Sequence, residues 1–434
     1  MLAALWLGCT PPVPDQPNVL LITLDTTRAD HLASYGYPRR TTPNLDALAA
    51  RAYRFTDAWA PMATTLPSHT SLLTGTWPLE HGVLGNVAHG GRRTLPSDAL
   101  RPVTELFHDR GYVTAAFVSA TPLATGTGVE RGFDTFDDAG RNVRHAHRTT
   151  EAAAGWLRKN AKKPFLLWVH YYDPHGPFAP PEEYLTYRDD ETAKGWRAAR
   201  GIPDAAVRSG GADLDPVAAH QAYDGELTFV DTELDRLLAL LDKKRVSDRT
   251  VIVVVADHGE GLGQHGVGGH GQVWREQLQV PLLVYVPWER GTVVDRPISM
   301  VDVWPTVLGR LGWTEAWTAS GRDVFTGPSG PVLGTTSLRQ EALIGTPPQR
   351  ALTAGSLRYL DLGDGAPRLY DLRSDPHEQT DLSRALPVHT RVLARWTDAV
   401  YAAQQARGEA LGTGATVDVP AEERAALEAL GYVE

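Results

Sequence analysis

The 434-residue sequence predicts an α/β protein: helices sandwich one large, mainly parallel sheet, and a smaller α+β subdomain follows at the C-terminus. Three observations predict it. Continuous apolar runs of strand length recur along the first 290 residues, as expected of strands buried on both faces. Between them, apolar residues repeat at three- and four-residue steps, the spacing of a helix lying on a sheet. From about Leu311 the texture changes, with Gly321, Gly327, Pro328, Gly330 and Pro331 breaking the chain ahead of shorter strand-like runs.

Asn18–Leu24 is wholly apolar after its first residue and its threonine and ends at Asp25, so it reads as a buried strand delivering a carboxylate at its C-terminal end. Thr42 and Pro43 stand as cap and first-turn proline before Leu45, Leu48, Ala49 and Ala52, a short helix. Further buried strands are expected at Val113–Val118, Phe165–Tyr171, Thr250–Ala256 and Leu282–Val286. Leu227, Val230, Leu234, Leu237, Leu238 and Leu241 form the apolar face of a helix between two of them. Strands alternating with helices place a site at the strand carboxyl ends. After residue 320 the strand-like runs are Val332–Thr335, Ala351–Ala354 and Arg368–Leu372. Residues 185–217, rich in charge and small side chains, read as a surface insertion that contributes to a substrate rim. The expected division is 1–17 as a leader and tether, 18–320 as the catalytic domain and 321–434 as the smaller subdomain.

With 42% hydrophobic and 22% charged residues the chain has the balance of an ordinary globular protein. A net charge of −10 argues against a nucleic-acid binder, which needs an excess of Lys and Arg to neutralise phosphates. Cys9 is the single cysteine, so no intramolecular disulfide can form. It closes the apolar run Leu2–Gly8 and precedes the Pro-rich residues 10–17, a pattern resembling a bacterial lipoprotein signal with a tether. Export to the cell envelope, as a periplasmic or outer-membrane lipoprotein anchored through Cys9, is the expectation. No other segment approaches the roughly 18 apolar residues of a membrane span.

The chemistry-bearing strings come in three places. The first is Asp25-Thr26-Thr27-Arg28-Ala29-Asp30-His31 with Tyr35-Gly36. The second is Thr65-Leu66-Pro67-Ser68-His69 with Leu72-Leu73-Thr74-Gly75, then Trp77–Val83 and Asn86. The third is Asp257-His258-Gly259-Glu260, with His265, His270 and Glu276 beyond. Together they resemble the sulfatase family of the alkaline-phosphatase superfamily over roughly residues 18–385, including a closing Leu369-Tyr370-Asp371-Leu372 segment. The resemblance implies an alkaline-phosphatase-like fold and a metal-dependent hydrolase of sulfate or phosphate esters. It implies Asp25, Asp257 and His258 as metal ligands together with Thr65, which stands where sulfatases carry their modifiable Cys or Ser.

A threonine cannot be oxidised to an aldehyde, and His69 replaces the arginine of the Cys-x-Pro-x-Arg string, so no formylglycine is expected. Thr is the nucleophile of several phosphoester-cleaving relatives in the superfamily. Ala115–Ser119 lacks the Lys and His with which sulfatases grip sulfate, which also favours a phosphoester. By the same resemblance Asn86 donates to a substrate oxygen, His69 binds substrate, and His175 is a substrate contact or leaving-group acid; His270 is read as a late ligand or acid. The helix beginning near Thr65 is expected to turn free N–H groups toward the anion. One carboxylate with one imidazole suits Zn²⁺ or Mn²⁺, with Ca²⁺ the remaining alternative now that Thr26 replaces a second Asp. Asp173, His175, His265 and His270 are the candidates for a second metal. The expected substrate is an anionic ester on a small molecule, glycan or lipid. Two rival functions use the same parts: a phospho-headgroup transferase of the lipoteichoic acid synthase type, and a non-catalytic binding descendant of the fold.

Overall fold

The computed structural model describes residues 13–429 apart from 88–90, 141–142, 210–211, 314–316, 318, 329, 337–347 and 413. The proposed leader and Cys9 therefore lie outside the described residues. The strands of the main sheet are β1 (Asn18–Leu24), β2 (Tyr53–Trp59), β3 (Val113–Phe117), β4 (Thr135–Asp137), β5 (Phe165–Tyr171), β6 (Thr250–Ala256), β7 (Gln279–Tyr285), β8 (Val293–Val294) and β9 (Ile298–Ser299). Their order is β8-β2-β7-β6-β1-β5-β3-β4, with β9 also on β2. β7 runs against both of its neighbours, and the remaining pairings are parallel. The sheet is thus mainly parallel, with a single reversed strand among those described. β1, β5 and β6 are buried at every position, which is why they read as unbroken apolar runs.

Helices pack on both sides of this sheet: α1 (Pro43–Ala49), α2 (Thr65–Thr74), α3 (Val103–Asp109), α4 (Ala146–Asn160), α5 (Pro216–Lys244) and α6 (Val303–Arg310). Thr42 occupies the N-cap position of α1, but its hydroxyl makes no cap bond. The carboxylate of Asp231 on α5 does this instead, accepting from the N–H groups of Asn44 at 3.0 Å and Leu45 at 2.8 Å. Tertiary packing has replaced the local cap with a distant one that satisfies two orphan donors at once.

The C-terminal part holds a four-stranded antiparallel sheet, β10 (Val332–Thr335), β11 (Arg350–Ala354), β12 (Leu357–Asp361) and β13 (Arg368–Asp371), and the long helix α7 (Pro387–Leu411). It returns to the main body: Arg407 of α7 lies 3.7 Å from Glu80, and Thr416–Asp418 pairs with Arg92–Thr94. The segment 185–217 is mostly exposed, as its composition suggests, but it is anchored. It carries the helix Glu191–Ala199, whose Trp196 is 7% exposed and packs with Ile202 against Tyr37. Two apolar anchors hold an otherwise charged segment to the core.

Candidate active site

β1 and β6 are neighbours in the sheet and both end in a carboxylate, so Asp25 and Asp257 emerge side by side at the strand carboxyl ends. Asp25, Asp257 and His258 are buried, and their ligand atoms lie within 4.8 Å of one another. Both oxygens of Asp25, Oδ2 of Asp257 and Nε2 of His258 have no hydrogen-bond partner among the described residues. Burial pushes the Asp25 carboxyl well above the usual range, and burial together with the Asp25 charge does the same to Asp257. Two such carboxylates can both be ionised only with a cation between them. His258 Nδ1 donates to the Gly259 carbonyl at 3.0 Å, which leaves Nε2 as a lone pair, and burial holds the ring neutral. The donor set therefore fits a divalent cation.

The geometry of this corner depends on two backbone devices. Gly259 has no side chain because a Cβ there would sit 2.1 Å from the Glu276 carbonyl. Thr26 holds φ +48°, a left-handed conformation that costs a β-branched residue roughly 1–2 kcal/mol. It is held by three bonds: its N–H to Asp257 Oδ1 at 3.0 Å, its hydroxyl to the Pro174 carbonyl at 2.7 Å, and its carbonyl to the Tyr223 hydroxyl at 2.7 Å. His170 on β5 brings Nε2 to 3.2 Å from Asp25 Oδ2, without hydrogen-bond alignment.

Thr65 is the first residue of α2, fully buried, and its hydroxyl has no partner among the described residues. Gly75 ends the helix at φ +64°. The turn carrying Thr65 is tied to the metal donors through residues three and four positions on. Ser68 Oγ donates to the Asp257 carbonyl at 2.6 Å, and His69 Nδ1 donates to the Thr65 carbonyl at 2.8 Å. Ser68 had no role in the sequence reading, although i+3 spacing from Thr65 on a helix was the available signal.

The geometry bears on three expectations. His69 is fully buried, with Nδ1 on the Thr65 carbonyl and Nε2 3.1 Å from Thr23 Oγ1, so both ring nitrogens are met within the protein. The start of α2 does not present a row of free N–H groups. Leu66 N–H is taken by Asn86 Oδ1 at 2.9 Å, Pro67 has no N–H, and Ser68 N–H bonds the Thr64 carbonyl. Asn86 Nδ2 is a further donor here, buried and without a partner among the described residues. Finally, the candidates for a second metal do not converge. His265 spends its nitrogens on Glu276 Oε1 and the Glu378 carbonyl, and Asp173 Oδ1 accepts from Ala146 N–H.

His175 and His270 do meet, Nε2 to Nε2 at 3.1 Å, beside His258, whose ring centroid is 4.4 Å from that of His270. His175 Nδ1 lies 2.5 Å from the Gly176 carbonyl and His270 Nδ1 3.0 Å from the Ala63 carbonyl. Which Nε2 donates to the other depends on the tautomers, and His175 Nδ1 also lies 2.9 Å from the Tyr172 hydroxyl. A second buried donor group, His31, His220 and Asp224, is closed differently. Asp224 already accepts from His31, the Tyr37 hydroxyl at 2.6 Å and the Arg39 guanidinium at 2.9 Å, so its charge is met within the protein.

Comparison with known proteins gives a consistent picture. The family model described as Sulfatase matches residues 17–313. The chain is 27% identical to an ulvan-active sulfatase of Formosa agariphila, over 85% of this chain and 77% of that one. It is 25% identical to a multifunctional alkaline phosphatase superfamily protein of Trinickia caryophylli, over 84% of this chain and 91% of that one. The crystal structure of a phosphonate monoester hydrolase of Agrobacterium radiobacter superposes with a TM-score of 0.71 at 22% identity, covering 89% of this chain and 96% of its own.

Proposed function

The chain belongs to the sulfatase family, and from that premise we propose that it is a metal-dependent ester hydrolase that cleaves phosphoesters in preference to sulfate esters, with Thr65 as the nucleophile. The observation that carries this reading is the unpartnered, buried Thr65 hydroxyl at the start of α2, stitched to the turn that bears Asp257 and His258. A cation on Asp25, Asp257, His258 and Thr65 would supply Lewis acidity, lowering the hydroxyl pKa of Thr65.

The chain's own groups then divide the work. Thr65 Oγ1, as its alkoxide, attacks phosphorus, and the bond to the leaving oxygen breaks in line. Asn86 Nδ2 donates to a non-bridging oxygen. A proton carried by His175 or His270 passes to the leaving oxygen, and the same group then takes a proton from the water that releases phosphate from Thr65. His69 holds the Thr65 turn in place. The absence of a cationic side chain along 115–119, where β3 is apolar and buried, supports phosphate over sulfate. The lipoprotein-like run ending at Cys9 supports a place at the bacterial cell envelope, which detection of lipid on Cys9 by mass spectrometry would test.

The test is turnover by purified, metal-supplemented protein on aryl sulfates, phosphate monoesters and phosphodiesters, with elemental analysis of the same sample. Phosphoester cleavage should dominate. Thr65→Ala should abolish it and Thr65→Ser should retain a measurable rate, because the same oxygen is presented with one methyl fewer. A clear preference for sulfate esters, or a normal rate in Thr65→Ala, refutes the reading.

A further inference from the structure

The loops that leave β1 and β6 meet again beyond the metal donors. Three residues past Asp25, Arg28 turns its Nη1 to the carbonyl of Glu260, three residues past Asp257, at 3.0 Å. Arg28 forms one wall of a cavity of about 250 Å³ whose lining includes none of Asp25, Thr65, Asp257 and His258. Arg200 and Arg275 line it as well, together with Gln264 and His377.

Two acids also face this space, and both are engaged. Asp30 takes Arg28 in a two-pronged pair at 2.9 and 3.0 Å and Arg200 Nε at 3.0 Å, while Glu276 pairs with His265 at 3.1 Å. Three guanidinium groups and two carboxylates line the cavity, and the charges of Glu378 and Asp57 also act on Arg275. Burial first, and then the charge of Arg200, push His377 down to about 4. Burial also holds Arg200 and Arg275 below the ordinary arginine value despite their acidic neighbours.

Gln264 is the independent observation. It is 3% exposed, its Oε1 accepts from Leu262 N–H at 3.0 Å, and its buried Nε2 has no partner among the described residues. A buried amide left unmet costs roughly 1–3 kcal/mol, so a donor of this kind in a cationic wall marks a place for an acceptor. The volume falls just short of the roughly 300–1,000 Å³ of pockets for drug-sized molecules, and it exceeds what a bare oxyanion fills.

We propose that this cavity is a second ligand site, separate from the reaction centre, which binds a monosaccharide-sized molecule through a sulfate or phosphate group held by Arg28, Arg200, Arg275 and Gln264. The site does not depend on the Thr65 chemistry or on a metal. Calorimetric titration of the full-length protein, as purified and again with EDTA, tests it with glucose 6-phosphate, glucose 6-sulfate, inorganic phosphate and neutral glucose. The sugar phosphate or sugar sulfate should bind one equivalent that survives EDTA and Thr65→Ala. Arg200→Ala should weaken that equivalent at least tenfold and Gln264→Leu severalfold, and glucose should not bind. Gln264→Leu keeps the test standing should Arg200→Ala fail to fold. Loss of all binding in EDTA, equal affinity in both pocket variants, or glucose binding as tightly as its phosphate overturns the site. Binding of inorganic phosphate alone overturns its size.

Discussion

Asp257 shows how a single side chain sets opposite requirements for the metal-free and the metal-bound protein. Without a cation, Asp25 and Asp257 are two buried carboxyls competing for protons; with one, they are its anchors. Asp257→Asn keeps the Oδ1 acceptor for the N–H groups of Thr26 and His258 and removes one of the two charges. The metal-free variant should therefore melt at or above the metal-free wild type. Added Zn²⁺ or Mn²⁺ should raise the wild-type melting temperature by several degrees and leave the variant nearly unmoved, since ligand binding to the native state is what shifts it. Equal metal-induced shifts in the two proteins would remove Asp257 from the ligand set.

The clearest cases at the level of elements are two acids of α5. Asp231 caps α1 from a distance, so Asp231→Ala should cost about 1–2 kcal/mol in urea unfolding, the range of a lost N-cap. A loss below about 0.5 kcal/mol would mean that water or Thr42 replaces it. Glu226 accepts from Ala179 N–H at 2.8 Å, and burial pushes its carboxyl up to about 8 from an ordinary 4.5. A folded-state pKa raised above the unfolded one means the folded protein holds the proton more tightly. The stability it contributes is fully present below about 4.5 and is lost as pH rises toward and through 8. Glu226→Gln keeps the acceptor oxygen and cannot ionise. Its melting temperature should gain on the wild type as pH rises from 5.5 to about 8.5, and parallel profiles would show that Glu226 is not buried in this way.

Across the whole molecule, the small C-terminal sheet is tied to the main one through Arg358, a member of a buried ion pair. Arg358 of β12 is 1% exposed and pairs with Glu378 at 2.5 Å. It also bonds the carbonyl of Val273, and its guanidinium lies 4.4 Å from the ring of Trp59 on β2. Glu378 also accepts from the N–H of Arg275, at the edge of the proposed second site. Arg358→Met leaves Glu378 buried and unpaired, which should destabilise the protein by about 3–5 kcal/mol in denaturant unfolding. Adding Glu378→Gln should recover a large part of that, because the penalty is the stranded charge. Failure of the double variant to recover would assign the loss to packing on Trp59.

The sequence by itself determined the main sheet strands β1, β5 and β6, because strands buried on both faces are apolar throughout and announce themselves without neighbours. It also singled out Asp25, Asp257 and His258, which the fold brings together as candidate metal donors, since an Asp at a strand end and an Asp-His pair before glycine are local patterns. β2 and α7 were not legible. β2 carries Arg54, Thr56 and Asp57 in a seven-residue strand, and the buried stripe of α7 is Thr390, Leu393, Thr397, Tyr401 and Gln404, too polar to stand out. Only the tertiary structure decided which polar groups are already spent. His69 and His265 look free in sequence and are fully bonded, Thr42 looks like a cap and is not, and Gln264 looks ordinary and has an unmet donor. The physical reason is that a hydrogen bond is a property of a pair. Ser68 and Asp257 lie 189 residues apart and Arg28 and Glu260 232, and nothing in the local sequence of one residue specifies the other.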